Sequence, residues 1–167
     1  FLVTGNVDFS NGDKVSLFSG LRKLVDGNTA VVFETSTNNI GYPGAFRLSA
    51  PGFSGSANYL FSYKNSVLFE LKTQDPLFSA PNSAVISVKV NSTSSILRIN
   101  AKNIQEVSDI NATGNVGNYP IYIGMRAGAS LPFTGNLYSL IGIARLTTST
   151  ETTNIENAIA KNVGVTL

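Results

Sequence analysis

The feature that most constrains this fold is a set of short segments in which apolar and polar residues alternate. In "NYLFSYKN" the alternating aromatic side chains are Tyr59, Phe61 and Tyr63, and "SVLFELKT" repeats the alternation a few residues later. Because successive side chains of a β-strand point to opposite faces, a period of two predicts a strand with one buried face. Such segments predict strands around residues 15–24, 31–33, 46–48, 59–63, 67–71, 84–90, 95–100, 104–107, 119–123 and 136–144.

The breaks between these segments are rich in turn-forming residues. They include "SNGD", "VDGN", "NNIGYPG" and "APGFSG", in which Gly accepts a positive φ and Asn or Asp bonds the local backbone. About ten strands joined by tight turns, with no helix between them, predict an all-β antiparallel sandwich or barrel. The 167 residues suffice for one domain, 1–167. Because the chain begins with Phe1 rather than Met, we expect a processed chain or one domain of a longer chain.

The last part of the chain departs from this alternation and predicts one amphipathic helix over 150–163. Thr148 and Glu151 have the spacing of a capping box, and Gly164 lies where a left-handed residue commonly ends a helix. A lone helix of about 13 residues is marginally stable in water, so its apolar face should dock on the sandwich. That face comprises Ile155, Ala158, Ile159 and Val163.

The chain lacks the residues on which most catalytic mechanisms depend. The chain has no His and no Cys, so it lacks the commonest general base and any thiol nucleophile or thiolate metal ligand. Glycoside hydrolysis needs two facing carboxyl groups, but no predicted strand carries acidic residues at positions i and i+2 or i+4. We therefore predict a protein that is not an enzyme and binds no cofactor. The acidic residues expected at the solvated surface are Glu34, Glu70, Asp75, Glu106 and Asp109.

Charge and hydropathy limit the partners. The net charge is +2 and the basic residues are scattered, which argues against a nucleic-acid partner. No apolar run approaches the roughly 18 residues of a membrane-spanning helix. The segment "DFSNGD" gathers Asp8, Asn11 and Asp13 but lacks the spacing of a calcium loop. We interpret it as a turn and predict no metal site.

The segment "GNVGNYP" has two interpretations. As a ligand loop, it would use Asn115 and Asn118 to hydrogen-bond hydroxyl groups and Tyr119 to stack on a sugar ring. As a tight turn, it would use Tyr119 as a lid over the fold. Arg126, in the same part of the chain, completes the set of candidate ligand or partner residues.

Five segments follow one pattern in colinear order. They are "VDFSNGDKVSLFSGLRKL", "VVFETS", "GAFRLSAPG", "GNVGNYPIYIGMRAG" and "LPFTGNLYSLIGIARL", with the terminal helix after them. Together they resemble the laminin-G-like, concanavalin A-like domains of tailed-bacteriophage and prophage structural proteins. The resemblance implies a two-sheet antiparallel jelly-roll and a structural function on the virion surface, in the capsid, tail or fibre. Its partners would be other virion proteins and further copies of the chain, in an extracellular-type environment.

The same resemblance assigns roles to individual residues between Gly117 and Ile143. It implies that Gly135-Asn136 turns the chain, and that Gly117 and Gly124 let backbones approach closely. The loop Asp residues that hold calcium in carbohydrate-binding relatives are missing. Virion assembly is therefore the main prediction, and a lectin-like module that binds a host glycan or receptor is the alternative. The residues expected to make core and sheet contacts are Leu137, Leu140, Ile141 and Ile143.

Overall fold

The computed structural model describes residues 1–36, 40–73, 76–108 and 110–167, which form eleven strands and one helix. The strands are β1 (Leu2–Asp8), β2 (Val15–Lys23), β3 (Val31–Thr35), β4 (Ala45–Ser49), β5 (Leu60–Lys64), β6 (Leu68–Lys72), β7 (Asn82–Val90), β8 (Ser94–Ile99), β9 (Lys102–Ser108), β10 (Asn118–Ile123) and β11 (Gly135–Ile143). The helix, α1, is Ser149–Val163.

Two antiparallel sheets pack face to face. The six-stranded sheet has the order β1-β10-β3-β4-β5-β6, and the five-stranded sheet has the order β11-β2-β7-β8-β9. Alternate side chains of the central strands fill the space between the sheets, with Phe46 and Phe61 from one sheet and Leu17 and Val88 from the other. The predicted all-β, two-sheet jelly-roll sandwich with a C-terminal helix is confirmed.

Strand β1 was not expected from the sequence. Its residues are almost all exposed, so it shows no alternation of burial, and its pairing with β10 joins residues as distant in the chain as Asp8 and Asn118. It is an edge strand that pairs with β10 through its backbone, and of its side chains Val7 packs against the core and Thr4 accepts a hydrogen bond from the N–H of Ile121.

One expectation for β11 is wrong and a second is correct only in part. Gly135 and Asn136 do not turn the chain, because they pair with Lys23 and Arg22 of β2 inside the strand. Ile141 is 38% exposed and lies outside the core, although it makes the expected sheet contact by pairing with Phe18 of β2. The other three expected contacts are confirmed: Leu137 and Leu140 pack on the main core and Ile143 packs on the helix cluster.

The helix docks on the outer face of the five-stranded sheet. Thr148 and Glu151 form the predicted capping box, and Gly164 ends the helix in the left-handed conformation with φ 73°. Ile159 and Val163 pack against Phe18 and Val85 of the sheet. Gly20 lies beneath both helix residues, and a Cβ there would collide with their side chains.

The buried face of the helix differs from the predicted one at several positions. Ala158 is exposed, and the adjacent Ala160 is buried in its place. Glu156 is also buried, because Ser87 Oγ donates a hydrogen bond to it and Arg98 Nε lies 2.9 Å from its Oε1. An ion pair therefore helps to fix the helix, in addition to the predicted apolar contacts.

Within the described residues, no helix is both long and apolar enough to cross a membrane.

Candidate functional site

Polar side chains lie side by side across four neighbouring strands of the six-stranded sheet. Glu34 on β3 is in register with Arg47 on β4, Arg47 with Ser62 on β5, and Ser62 with Glu70 on β6. We call these four residues the polar row. On the other side, Glu34 is in register with Tyr122 of β10.

The polar row lies on the face of the sheet that points away from the core. The residues that alternate with it, among them Phe33, Phe46 and Phe61, belong to the core, and successive side chains of a strand point to opposite faces. The row is nevertheless recessed. The Glu34 side chain is 0% exposed and that of Arg47 is 10% exposed, whereas Glu70 at the end of the row is 38% exposed.

A fifth charged side chain reaches the row from the segment that follows β10. Arg126 Nε lies 3.5 Å from Oε2 of Glu34, and the Arg126 side chain is 27% exposed. The backbone of Arg126 is fixed by a tight turn, in which its N–H donates to Ser130 O and its carbonyl accepts from the N–H of Ser130. Gly128 in this turn has φ 69°, a conformation that favours glycine. The guanidinium therefore starts from an ordered backbone.

Glu34 is held between two guanidinium groups at distances longer than hydrogen bonds. Arg47 Nη1 lies 3.9 Å from Glu34 Oε2, and Arg47 Nη2 lies 4.0 Å from Glu70 Oε1. Burial raises the pKa of Glu34, and the positive charges of Arg126 and Arg47 oppose that rise. Burial, together with the like charge of Arg126, lowers the pKa of Arg47.

Several buried polar atoms of this site have no hydrogen-bond partner among the described residues. They are both carboxylate oxygens of Glu34, Nε of Arg47, Nε of Arg126 and Oγ of the neighbouring Ser49. A buried polar group without a partner costs about 1–3 kcal/mol, and most such groups in folded proteins are satisfied by protein, water or ligand. Five such atoms therefore lie on the outer face of this sheet.

The structure corrects one expectation about the acidic residues and confirms two. Glu34 is buried rather than solvated, because its β-strand lies in the middle of the sheet and two Arg side chains flank it. Glu70 and Glu106 are at the surface, as expected. Asp75 and Asp109 lie outside the described residues.

The loop residues predicted as a candidate site fall into two places. Asn115 Nδ2 donates to Ser10 O, and the Tyr119 hydroxyl donates to Pro43 O at 2.9 Å. Asn118 begins β10 and pairs with Asp8. Arg126 lies beyond the other end of β10, where it joins the polar row instead. The structure thus separates Arg126 from the other three residues, whose role in binding stays a prediction.

The glycine contacts predicted near this loop are found at Gly117. Its N–H donates to Gly44 O at 3.0 Å, and a Cβ there would collide with the Tyr119 ring. Gly124 has φ 84° and donates its N–H to Val32 O at 2.8 Å. The predicted close approach of backbones is not found at Gly124, where a Cβ would lie 3.8 Å from Phe1 Cα, an ordinary contact, and at Gly117 the close neighbour is the Tyr119 side chain.

The segment "DFSNGD" forms the predicted turn between β1 and β2. Asp8 Oδ1 accepts hydrogen bonds from the N–H and hydroxyl of Ser10, and Asp13 Oδ2 accepts one from the N–H of Ser92. These bonds hold the pKa of both carboxyl groups below their ordinary values. In the described part of the chain, no three acidic side chains are grouped so that they could hold a metal ion.

A signal for the polar row is present in the sequence. Two short strands, "VVFET" and "AFRLS", each carry one charged residue within a largely apolar segment, and "LFELK" carries Glu70 and Lys72. Aligning the consecutive hairpins on their inward-facing aromatic residues places these charges next to one another. Arg126 has no such signal, because its approach to Glu34 depends on the path of the 124–134 segment.

Solved structures of other proteins share this fold. The binding domain of botulinum neurotoxin DC, in complex with rat synaptotagmin II, has a TM-score of 0.67 and 13% identity, over 90% of this chain and 37% of that chain. The CBM40 of the Ruminococcus gnavus IT-sialidase, bound to alpha2,3 sialyllactose, has a TM-score of 0.63 and 12% identity, over 93% of this chain and 97% of that chain. A SAP-like pentraxin from Limulus polyphemus has a TM-score of 0.64 and 9% identity, over 87% of this chain and 70% of that chain.

The likeness at these identities is one of fold, and it supports the concanavalin A-like jelly-roll. This chain spans a little over a third of the toxin chain and almost the whole of the CBM40 chain. The three structures are not phage proteins, so the phage part of the resemblance stays a prediction. No protein-family model matches the sequence, and no curated protein matches it.

Proposed function

We propose that this chain is a non-enzymatic carbohydrate-binding module that recognises an acidic sugar at Arg126, Glu34 and Arg47. The observation that carries the proposal is the set of buried polar atoms on these three residues that have no hydrogen-bond partner among the described residues, together with the 27% exposure of the Arg126 side chain. Because Glu34 is 0% exposed and Arg47 is 10% exposed, a sugar contacts the site from solvent at Arg126, and the two buried side chains position that guanidinium.

Arg126 is the residue suited to the acidic group. A guanidinium has five N–H donors, and the Arg126 side chain directs its Nε toward Glu34 while staying 27% exposed. Its planar fork binds a carboxylate through two parallel hydrogen bonds, which are stronger than neutral ones. In this proposal the terminal nitrogens of Arg126 bind the acidic group of a ligand that approaches from solvent.

The solved structures agree with this choice of ligand. The Ruminococcus gnavus CBM40 is bound to sialyllactose in both the alpha2,3 and alpha2,6 forms, and sialyllactose is an acidic sugar. Cell entry of botulinum neurotoxin type C depends on interaction with two ganglioside molecules, and this chain matches 36% of the chain in that structure with a TM-score of 0.67. These facts support the glycan-binding alternative over virion assembly, which stays a prediction.

The proposal is tested by isothermal titration with sialyllactose and with lactose, its neutral counterpart. We expect saturable binding of sialyllactose and at least about tenfold weaker binding of lactose, a loss of about 1.4 kcal/mol. Arg126→Gln should weaken sialyllactose binding by a similar factor. The matched control is Arg22→Gln, which removes an exposed Arg from the five-stranded sheet. It should leave the affinity unchanged.

The pH dependence gives an independent check. The pKa of Glu34 is raised, so lowering the pH protonates this carboxyl group earlier than an ordinary one. Protonation removes a negative charge next to Arg126 and should strengthen binding of an acidic sugar that stays ionised. Equal affinity of wild type and Arg126→Gln, or affinity that falls as Glu34 is protonated, would contradict the proposal.

A further inference from the structure

A second, separate space lies between the two sheets. It is a cavity of about 260 Å³ lined by apolar side chains of both sheets, among them Val7, Phe9, Phe33, Ile123 and Leu140. Its mouth is at the edge formed by β1 and β11, where the lining residues Thr4 and Gly142 are exposed. On the opposite edge of the sandwich, β6 packs against β8 and β9.

Small residues lie at the mouth of this space. Gly142 contributes no side chain, and Phe9 packs so closely against it that a Cβ there would lie 2.9 Å from Phe9 Cζ. Thr4 brings a small side chain whose hydroxyl already donates to Gly5 O and accepts from the Ile121 N–H. No charged residue is among those that line the cavity. The space therefore offers contacts to a hydrocarbon and no free polar partner to a charged group.

We propose that this cavity binds the alkyl chain of a medium-chain amphiphile, with the polar end of the ligand in solvent at the mouth. An apolar cavity of about 150 Å³ stays dry and binds benzene. Benzene has six heavy atoms, so at the same volume per heavy atom a cavity of about 260 Å³ has room for about ten. That number suits a chain of about eight to ten carbons. An open apolar cavity exposes hydrocarbon surface to water, and a chain that fills it removes that surface.

This cavity is independent of the acidic-sugar site. Phe33 and Phe46 line the cavity, whereas Glu34 and Arg47 follow them in the same strands and point to the opposite face. A substitution in one place leaves the other in position. The two proposals can therefore fail separately.

The test is an NMR titration of the full chain, labelled at Ile, Leu and Val methyl groups, with 1-octanol. Saturable 1:1 shifts of the Val7, Ile123 and Leu140 methyl signals are expected. Affinity should rise about fourfold for each CH₂ group added from 1-hexanol to 1-octanol, and should stop rising once the chain exceeds the cavity. Sodium octanoate should bind no more tightly than 1-octanol, because no cation lines the space.

The decisive comparison uses variants in which a larger side chain fills the cavity. Val7→Phe and, separately, Leu140→Phe should reduce 1-octanol affinity at least about tenfold. Val3→Phe is the matched control, since Val3 lies on the same strand but is 52% exposed and does not line the cavity. Loss of binding in both filling variants, with binding retained in Val3→Phe, supports the site. Shifts that do not saturate, or equal affinity in the filling variants and the control, would overturn it.

Discussion

The docking of α1 on the five-stranded sheet makes a sharp prediction about stability. Ile159 is 2% exposed and packs with Val163 against Phe18 and Val85, above Gly20. Ile159→Asp would remove these contacts and place a carboxylate in the apolar interface. Glu156, one turn earlier on the same buried face, would add repulsion between like charges.

The size of the effect follows from the burial. Truncating a buried Ile to Ala costs about 2–5 kcal/mol, and a buried unpaired charge adds to that cost. We therefore expect a loss of about 4 kcal/mol or more in the free energy of unfolding. For a domain of this size, each kcal/mol lowers Tm by about 2–4 °C, so Tm should fall by about 8–16 °C.

Ala158→Asp is the matched control. Ala158 is the adjacent residue of the same helix and is exposed, so the variant introduces the same side chain on the solvent face. Ala158→Asp should lower the free energy of unfolding only by the difference in helix propensity between Asp and Ala, about 0.7 kcal/mol. Thermal and denaturant unfolding followed by circular dichroism measure both variants, and Ile159→Ala covers the case in which Ile159→Asp does not fold.

The reasoning would be refuted if Ile159→Asp and Ala158→Asp unfolded at the same temperature. It would also be refuted if Ile159→Ala cost no more than an exposed substitution, about 0.5 kcal/mol. Either result would mean that the helix does not stabilise the sandwich through this face.

Two further predictions concern the acidic residues. Contact with Arg145 and with the Thr148 backbone lowers the pKa of Glu151 to about 2. Because the folded pKa is depressed, this stabilisation is present above the unfolded pKa and is lost as the pH falls toward 2. The Tm difference between wild type and Glu151→Gln should therefore shrink between about pH 5 and pH 2, and a constant difference would contradict the assignment. Purified protein should also show no hydrolysis of glycans or esters, and turnover that is abolished by Glu34→Gln or Glu70→Gln would show that the chain is an enzyme.

The sequence by itself determined the elements whose causes are local. Alternation of apolar residues in "NYLFSYKN" predicts a strand because the side-chain period of a strand is two. Thr148, Glu151 and Gly164 predict the ends of the helix because their groups bond the backbone within one turn. These interactions need no distant partner, so the pattern of residues suffices to identify them.

The tertiary structure decided which residues meet across long stretches of chain. Glu34, Arg47 and Glu70 come from three different strands, and the register of the sheet brings them into one row. Arg126 reaches Glu34 because the segment after β10 folds back in a tight turn. Strand β1 depends on β10, and its exposed side chains carry no alternation that would predict it.

The same distinction applies to burial and to empty space. Glu34 is a charged residue in a short strand, and the positive charges of two flanking guanidinium groups offset the cost of burying it. The cavity lies between the two sheets at an edge where residues as distant in the chain as Thr4 and Gly142 come together. Local sequence specifies the elements, since each depends on bonds within a few residues. Sites and cavities depend on how elements distant in the chain pack, and that was decided by the fold.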